Sequence, residues 1–433
     1  MPRLLRLGAA VAALTAPLAA QTVDDGYEIG TWQGFRDGAV TISFDDNTAN
    51  QLPVALPILD AVGLKATFFV TTNWVGGQWP GFAAAAANGH EVAVHTRSHP
   101  DLSTLTVEQQ RAQLEGARDA ILANVPEAEA LTLAYPFCVP GDRALVEELF
   151  IAARVCSGQI DRATPADLYA TSSYVIGAEV NRTTAASLNA LADAAAAQRG
   201  WATYLLHGID GDGGYSPFPS DELETHVAYL AANPDKFWVA TYVDVVRYLR
   251  ERDAASVTEL SATDDAITVE ITDDLDDAIY TTPITVRRVL PDDWEAATVA
   301  QDGAPVPAAI IQAGAETFVE FDVVPDRGTV TLTKSDATSP AGAPEAGPSY
   351  VVGSRPNPFR GRTTFVYEVG EAGPVTVEVY DRLGRRLETL VDAVLPAGRH
   401  VVTWDASRYG AGAYTYRLHA GGRADAGQTT LAR

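Results

Sequence analysis

An aspartate pair and a histidine pair are the residues of this sequence whose types and spacing could support hydrolytic chemistry. Asp45 and Asp46 end the apolar run in TISFDD, and His95 and His99 stand four residues apart in HTRSHP, directly after EVAV. A helical turn after His95 would bring these positions to one side, where two imidazoles and a carboxylate can share a divalent ion. Three protein ligands with one open position indicate a catalytic metal site. The ordinary alternative is a strand end with turn residues and a loop with two polar side chains.

The elements that must position these pairs are strands of a parallel sheet. From about residue 38 to 252, apolar runs such as AVTISF, ATFFVTT and WATYLLH alternate with helical patterns, which predicts a parallel sheet covered by helices. With about seven or eight strands we expect an α/β fold of the closed (β/α) barrel type, and a doubly wound open sheet is the alternative. Both folds gather their active sites at the carboxyl ends of strands. The aspartate pair, the histidine pair, YPF and His207 all follow such ends, which predicts one shared rim.

The position at which the first strand ends decides whether both aspartates can act together. Adjacent residues on a regular strand point to opposite faces, so both carboxylates face one site only if the strand ends at Asp45. Asn47-Thr48 favours a turn there. A carboxylate that does not bind the metal can then take a proton from water, and a histidine suits proton donation to a leaving amine.

Four motifs, TISFDD, HTRSHPDLS, AYPF and YLLHG, together resemble in order and spacing those of the polysaccharide deacetylases, carbohydrate esterase family four, over about residues 38–250. The resemblance implies a distorted (β/α) barrel that removes acetyl groups, usually from N-acetylglucosamine units, with a divalent metal ion. It also implies residue roles: metal ligands Asp46, His95 and His99, general base Asp45, general acid His207, and an oxyanion and substrate loop of Tyr135, Pro136 and Phe137, in which the N–H of Phe137 helps to hold the oxyanion. These ligand types favour Zn²⁺, and such sites also accept Co²⁺, Ni²⁺ or Mn²⁺.

The third motif departs from the family's usual pattern. Most members carry an arginine at its start, paired with the catalytic aspartate, and this chain has Ala134 there. Another cation is then needed for that pairing, and Arg97 inside the histidine motif is one candidate. AYPF resembles a branch of the family that lacks the arginine and includes deacetylases of exported poly-N-acetylglucosamine. The family's Asp-Trp fourth motif has no clear counterpart, since QIDRATPADLY stands in that place, so the substrate is less constrained than the reaction type.

The composition and the start of the chain predict an exported protein. Asp and Glu number 56 against 31 Lys and Arg, and the net charge of −25 argues against a nucleic-acid partner, whose phosphates need a basic face. Residues 1–20 have the layout of a secretory signal peptide, and no later run predicts a transmembrane segment. Cys138 and Cys156 can form a disulfide in an oxidising compartment, with two buried free thiols as an equal alternative.

The rest of the chain has the patterns of β structure. Residues 253–336 alternate apolar and polar residues, which predicts a sandwich-like module, more readily a spacer than a glycan binder. Residues 337–349, rich in Pro, Ala and Gly, predict a linker. In residues 350–433, SRPNPFRGRTTFVYEV, VTVEVYDRLGRRLETL and HVVTWDASRYGAGAYTYRL resemble the C-terminal sorting domain of the type IX secretion system. That resemblance implies a partner in the outer-membrane secretion machinery and release or attachment at the cell surface, and a generic carbohydrate-binding β-sandwich is the alternative.

These observations together predict a secreted, metal-dependent polysaccharide deacetylase whose barrel spans residues 21–252. One alternative is an esterase that removes O-acetyl groups from xylan or another glycan. The other is an inactive glycan-binding protein that kept the metal site, although binding alone would need neither Asp45 nor His207. Aromatic side chains near the rim either form a sugar-stacking platform or pack in the core and loops: Trp74, Trp79 and Tyr215.

Overall fold

The computed structural model describes residues 23–335 except 25 and 315, and residues 350–432 except 356, 358, 360, 370–372, 381, 383–384, 396–397 and 421–422. The predicted signal peptide, residues 1–20, and the whole of the predicted linker, residues 337–349, lie outside the described residues. No helix among the described residues is both long and apolar enough to cross a bilayer.

The centre of the fold is a curled sheet of parallel strands. After a short strand β1 (Tyr27–Ile29) that joins another sheet, the parallel strands are β2 (Gly38–Asp45), β3 (Thr67–Val70), β4 (Glu91–Val94), β5 (Thr132–Ala134), β6 (Ala152–Arg154), β7 (Tyr174–Val175), β8 (Trp201–Leu206) and β9 (Phe237–Val239). Their spatial order is β6-β5-β4-β3-β2-β8-β7, and β9 pairs with β2. A bridge between Arg154 and Thr171 connects β6 to the segment before β7. The sheet therefore curls into a half-barrel, which agrees with the α/β class and with a distorted barrel more closely than with the doubly wound alternative.

In the part of the chain that the structure describes, seven α-helices accompany this sheet. They are α1 (Leu56–Ala61), α2 (Trp79–Ala87), α3 (Val107–Asn124), α4 (Arg143–Leu149), α5 (Ala185–Ala197), α6 (Ser220–Ala231) and α7 (Tyr242–Ala254). Side chains that accept a backbone N–H of the first turn fix several starts, and Thr106 with Gln109 forms a complete capping box at α3. These caps satisfy N–H groups that have no partner inside the helix and so define where each connection from the sheet ends.

The side chains of β2 point alternately to the two faces of the parallel sheet, an outer face that packs against helices and an inner face. All eight residues of β2 are buried. Val40, Ile42 and Phe44 pack with helix residues in the outer apolar cluster. The intervening residues therefore point to the inner face, which ends at Asp45. The first catalytic candidate thus lies at the inner end of a strand that is buried on both faces.

A β region follows the helices and contains two antiparallel sheets. Its strands are β10 (Ser256–Ala262), β11 (Ala266–Thr272), β12 (Ile284–Val289), β13 (Ala296–Gln301), β14 (Ala304–Val306), β15 (Ala308–Ala313), β16 (Glu316–Val323) and β17 (Val330–Ser335). One sheet has the order β10-β11-β17-β13-β14 and the other β1-β12-β16-β15. The predicted division of the chain places residues 27–29 with the barrel, but they pair with β12. A strand of three residues carries too little pattern to reveal a partner more than 250 positions away.

One apolar cluster joins the inner face of the parallel sheet to this β region. It includes Phe69 and Trp201 of the parallel sheet, Tyr242 and Tyr248 of α7, and Val257 of β10. Helix α7 therefore lies between the sheet interior and the β region. Residues 256–335 consequently share an apolar core with the inner face of the parallel sheet and are not joined to it by the chain alone.

The C-terminal segment is again β structure, with strands β18 (Tyr350–Arg355), β19 (Arg362–Val369), β20 (Gly373–Tyr380), β21 (Arg386–Leu395), β22 (Gly398–Asp405), β23 (Gly412–Ala420) and β24 (Arg423–Leu431). They form sheets of order β18-β19-β22 and β21-β20-β23-β24. Trp404 and Phe365 lie in an apolar cluster shared by the two sheets. The role of residues 350–433 in secretion stays a prediction.

Candidate metal and catalytic site

A turn immediately after β2 brings both aspartates to one rim. The strand ends at Asp45, as the sequence predicts, and the next two residues, Asp46 and Asn47, have φ of 68° and 43°. This left-handed backbone, which is costly for residues other than glycine, turns the chain back on itself. The Asn47 Oδ1 accepts the Thr71 N–H at 2.9 Å, and Gln51 donates to the Asp45 carbonyl at 2.6 Å. These bonds hold the turn in the conformation that presents both carboxylates.

A second turn after β4 brings the two histidines together, but it is not the helical turn that we predicted. Thr96 and His99 have φ of 66° and 58°, so two residues of the segment from His95 to His99 have left-handed backbone conformations. The His99 N–H donates to the Thr96 hydroxyl at 3.0 Å, and the Thr72 N–H donates to the Thr96 carbonyl at 3.2 Å. The rings of His95 and His99 meet edge to face with centroids 4.8 Å apart. The spacing prediction was therefore right about proximity and wrong about the backbone that produces it.

The three predicted metal ligands converge. The Oδ1 of Asp46 lies 3.6 Å from Nε2 of His95 and 3.6 Å from Nε2 of His99. Among the described residues, one ligand atom from each of these three side chains lies within 4.8 Å of the others. Two imidazole nitrogens and one carboxylate oxygen at this spacing are a donor set that zinc and similar divalent ions accept.

The hydrogen bond of His95 orients its ring for ligation. Nδ1 lies 2.7 Å from the Ala134 carbonyl, which can only accept, so Nδ1 carries the hydrogen and Nε2 keeps its lone pair facing Asp46. Burial lowers the pKa of His95 to about 3, so the ring is neutral, the form that binds cations. Burial also raises the pKa of Asp46, so a cation bound nearby would stabilise its carboxylate form. The residues present therefore fit a divalent metal ion.

Asp45 has a buried arginine partner, Arg154, which the sequence reasoning missed. The Arg154 guanidinium pairs with Oδ1 of Asp45, and both side chains are at most 3% exposed. The other oxygen, Oδ2, lies 3.7 Å from Nε2 of His95 and so faces the metal ligands. Arg97, our candidate for this pairing, is exposed. The prediction of Arg97 was wrong because that side chain lies on the outer surface of the histidine loop.

The position of Arg154 explains how the chain dispenses with an arginine at Ala134. Strands β5 and β6 are parallel neighbours, and Ala134 is the register partner of Arg154. Register partners point to the same face, so the guanidinium comes from the adjacent strand at the same level. One feature of the sequence could have indicated this role of Arg154: it directly follows the apolar residues IAA in IAARV. An arginine in a buried strand needs an anionic partner.

His207 follows β8 and completes the rim. Its Nε2 lies 3.9 Å from Oδ2 of Asp46, and its ring meets Tyr215 edge to face at 5.0 Å. Burial lowers the pKa of His207 to about 4, and the nearby Asp45 opposes that shift. Within the described part of the chain, its Nδ1 is buried without a hydrogen-bond partner. The ring is thus neutral at pH 7 and exposes Nε2 toward the site.

Of the three residues predicted for the oxyanion and substrate loop, only Phe137 places its side chain at the site. Its ring is 63% exposed and lies 4.6 Å from the His99 ring. Tyr135 is buried and donates its hydroxyl to the Tyr169 carbonyl at 3.1 Å, and Pro136 is also buried. Both therefore hold the turn that carries Phe137, whose φ is 55°.

A disulfide bond holds the turn of Phe137 in place. Cys138, next to Phe137, is bonded to Cys156, two residues after Arg154. The disulfide alternative of the sequence analysis is therefore the observed one. It ties the loop of Phe137 to the strand end that carries the partner of Asp45.

Comparison with known proteins points to the same part of the chain. Residues 33–147 match the model of the polysaccharide deacetylase family. This match supports a polysaccharide deacetylase domain, and its range includes the aspartate and histidine pairs and Phe137 but ends before Arg154 and His207.

Individual relatives cover different shares of the chain. A gellan lyase from a Bacillus species is 29% identical over 336 residues, which is 72% of this chain and 13% of the lyase. A chitin deacetylase from Colletotrichum lindemuthianum is 34% identical over 24% of this chain and 44% of that enzyme. The chain thus spans less than half the length of either relative. A solved peptidoglycan deacetylase from Bacillus subtilis superposes with a TM-score of 0.37 at 18% identity, over 49% of this chain and 93% of that one.

Proposed function

We propose that the protein is a metal-dependent hydrolase that removes acetyl groups from a polysaccharide, in the first place from N-acetylglucosamine units. The observation that carries this proposal is that three potential metal ligands meet an aspartate held by a buried arginine and a histidine that follows β8, the strand beside β2. A metal-binding protein without turnover would have no use for the last two.

Asp46, His95 and His99 would hold the cation, with zinc favoured and cobalt, nickel or manganese acceptable to the same donors. When bound, such an ion acts as a Lewis acid that polarises the acetyl carbonyl and acidifies water. The chain contributes neutral, pre-oriented imidazoles, so little rearrangement is required for ligation.

Asp45 would be the general base. Arg154 occupies one carboxylate oxygen and leaves the other facing the metal ligands. That oxygen can take the proton of the attacking water, and Arg154 keeps the carboxylate from swinging toward the cation as a fourth ligand.

His207 would donate the proton to the leaving amine. It is neutral before the reaction, so it would first take up the proton that Asp45 removes from the attacking water. Its Nε2 would then pass that proton to the nitrogen as the carbon–nitrogen bond breaks and the negative charge on the acetyl oxygen is lost. The Phe137 N–H, in a left-handed turn beside His99, would donate to that oxygen. An amine leaves poorly without a proton, so an acid at this place suits N-deacetylation.

An O-acetyl esterase on a different glycan is the second candidate. The fourth motif leaves room for it, because QIDRATPADLY stands in place of the family's Asp-Trp motif and so leaves the choice of substrate open. The two candidates share every residue role above and differ in the leaving group.

We further propose that the protein is secreted or displayed at the cell surface through the signal peptide and the C-terminal segment. The disulfide between Cys138 and Cys156 supports this, since such bonds persist in oxidising compartments.

The experiment is acetate release by the full chain from N-acetylglucosamine oligomers and from acetylated xylan, after chelation and after zinc is restored. We expect release that requires metal and falls at least about 10²-fold in Asp45→Asn and in His207→Ala. Asp235→Asn, an exposed aspartate away from these ligands, is the matched control and should keep full activity. A folded, zinc-loaded protein that releases no acetate from either polymer would overturn the proposal.

A further inference from the structure

Gln51 connects the two strand ends that carry the proposed base and the proposed acid. Its side chain is fully buried, and its Nε2 donates to the Asp45 carbonyl at 2.6 Å and to the His207 carbonyl at 3.1 Å. Carbonyl oxygens only accept, so these two bonds fix which end of the amide carries the nitrogen. One side chain therefore holds the backbone of both residues.

This connection stands where the pairing of β2 with β8 ends. Phe44 and Leu206 are the last register partners of the two strands, and Asp45 and His207 follow them directly. Beyond that pair, both chains turn away from the sheet, so backbone pairing of β2 with β8 no longer sets their separation. The amide of Gln51 provides a link at the next level.

The segment around Gln51 is also attached to the loop after β8. The Thr48 hydroxyl donates to the His207 carbonyl at 2.9 Å, and the Asn50 N–H donates to the Asp212 carboxylate at 3.1 Å. These bonds hold the segment against that loop, and the Gln51 side chain extends the connection to the end of β2.

Gln51 is held at a cost to the fold. It begins a π-helical turn, Gln51–Ala55, in which the Asn50 carbonyl accepts the Ala55 N–H at 3.1 Å. Such widened turns are rare and are frequent at functional sites. Within the described part of the chain, Oε1 of Gln51 is buried without a hydrogen-bond partner, which is unfavourable for stability. A purely stabilising role therefore accounts poorly for this residue.

We propose that Gln51 is a positioning residue that fixes the separation between Asp45 and His207. This inference rests on the proposed function, in which Asp45 takes a proton from water and His207 passes that proton to the leaving nitrogen. Two groups that handle the same proton must stand at a fixed separation around the reacting carbon.

Loss of Gln51 should displace His207 more than Asp45. The Arg154 guanidinium holds the Asp45 carboxylate independently, whereas Nδ1 of His207 has no hydrogen-bond partner among the described residues. An amine leaves only with a proton, and a nitrophenolate leaves without one. The contribution of Gln51 should therefore depend on the leaving group, which a general effect on folding would not.

The test compares two leaving groups in the zinc-loaded full chain. We measure kcat for acetate release from N-acetylglucosamine hexamer and for hydrolysis of 4-nitrophenyl acetate. In Gln51→Met, which keeps the length of the side chain but has no N–H, the ratio of the first kcat to the second should fall about tenfold, part of the contribution of an acid. The KM for hexamer and the zinc affinity should stay unchanged.

Gln110→Met is the matched control. Gln110 is also buried, at 5% exposed, and its Nε2 donates to the Leu105 carbonyl at 3.1 Å, but it lies on α3. This variant should lose stability and keep the wild-type ratio. Gln51→Asn, whose amide is one methylene too short to reach both carbonyls, should repeat the tenfold fall and serves if Gln51→Met does not fold.

A double variant shows whether Gln51 acts through His207. In a His207→Ala background, Gln51→Met should leave kcat on the hexamer almost unchanged, because the group that it positions is gone. Equal losses on both substrates, or a full further loss in the double variant, would refute the positioning role and leave the proposed function standing. A wild type that hydrolyses neither substrate would overturn the proposed function and this role with it.

Discussion

Exchanging Arg154 and Ala134 is the most direct test of how Asp45, the proposed general base, is held. Arg154→Ala removes the guanidinium from a pair whose side chains are 1% and 3% exposed. Breaking a buried pair leaves an uncompensated charge, so the free energy of unfolding should fall by about 3–5 kcal/mol. The Asp45 carboxylate also loses the contact that directs its second oxygen, and kcat should fall about 10²-fold with little change in KM. Urea denaturation measures the first effect and acetate release by folded, zinc-loaded protein the second.

The register of β5 and β6 provides a rescue. Because Ala134 is the register partner of Arg154, the double variant Arg154→Ala with Ala134→Arg returns an arginine to the same face at the same level. We expect kcat within about tenfold of wild type, since one general-base contribution of about 10² is restored. Arg111→Ala is the control: Arg111 pairs with Glu148 at the exposed surface, where ion pairs contribute little, so this variant should keep the free energy of unfolding and kcat of the wild type.

Two outcomes would refute this reasoning. If Arg154→Ala is folded, binds zinc and keeps the wild-type kcat, the arginine does not position the base. If the exchange restores stability but not kcat, the pair stabilises the fold only. Zinc affinity should stay near wild type in both variants, because Arg154 contacts none of the three ligand atoms, and that readout separates a misplaced base from a lost metal site.

Three further predictions follow from other parts of the structure. Zinc at 100 times its Kd should stabilise the full chain by about 2.7 kcal/mol in thermal unfolding, and Asp46→Asn should abolish that gain; an equal gain in the variant would contradict the ligand set. Reducing the disulfide between Cys138 and Cys156, which are 18 positions apart, should cost about 3 kcal/mol in urea unfolding and lower kcat, whereas unchanged activity would show that the Phe137 loop needs no tie. Burial raises the pKa of Glu91 to about 7 from 4.5, so the folded state holds that proton more tightly; the free energy of unfolding should fall by about 3 kcal/mol as pH rises from about 4.5 to 7. Glu91→Gln should remove this slope in urea titrations, and an unchanged slope would assign it to other groups.

Much of the site could be predicted because it depends on where strands end. Asp45 and the histidine pair each follow an apolar run, and in parallel sheets such ends share one rim. The local backbone could not be predicted in the same way. Left-handed residues such as Thr96 and His99 leave no periodic signal, so we expected a helical turn where the chain makes a tight non-helical one.

Arg154 could not be assigned because its role depends on register. Its own segment, ARVCS, predicts a strand, and the strand exists. Which residue stands beside Ala134 is decided by the alignment of β5 with β6, and a shift of one residue would turn the guanidinium to the opposite face. Only the three-dimensional pairing shows that this chain supplies, from the neighbouring strand, the cation missing from its third motif.

The β region contributes to the site through a chain of aromatic contacts. The Arg154 guanidinium lies over the Phe69 ring at 4.6 Å, and Phe69 meets Tyr242 of α7 edge to face at 5.7 Å. Tyr248, also on α7, donates to the Gly30 carbonyl at 2.8 Å, next to the β1 strand, which belongs to a sheet of the β region. Arg154, the partner of the proposed general base, therefore packs through Phe69 onto a helix that contacts the β region. Residues 256–335 share an apolar cluster with the inner face of the parallel sheet, and a chain cut at residue 252 should lose that apolar covering and with it the support beneath Arg154.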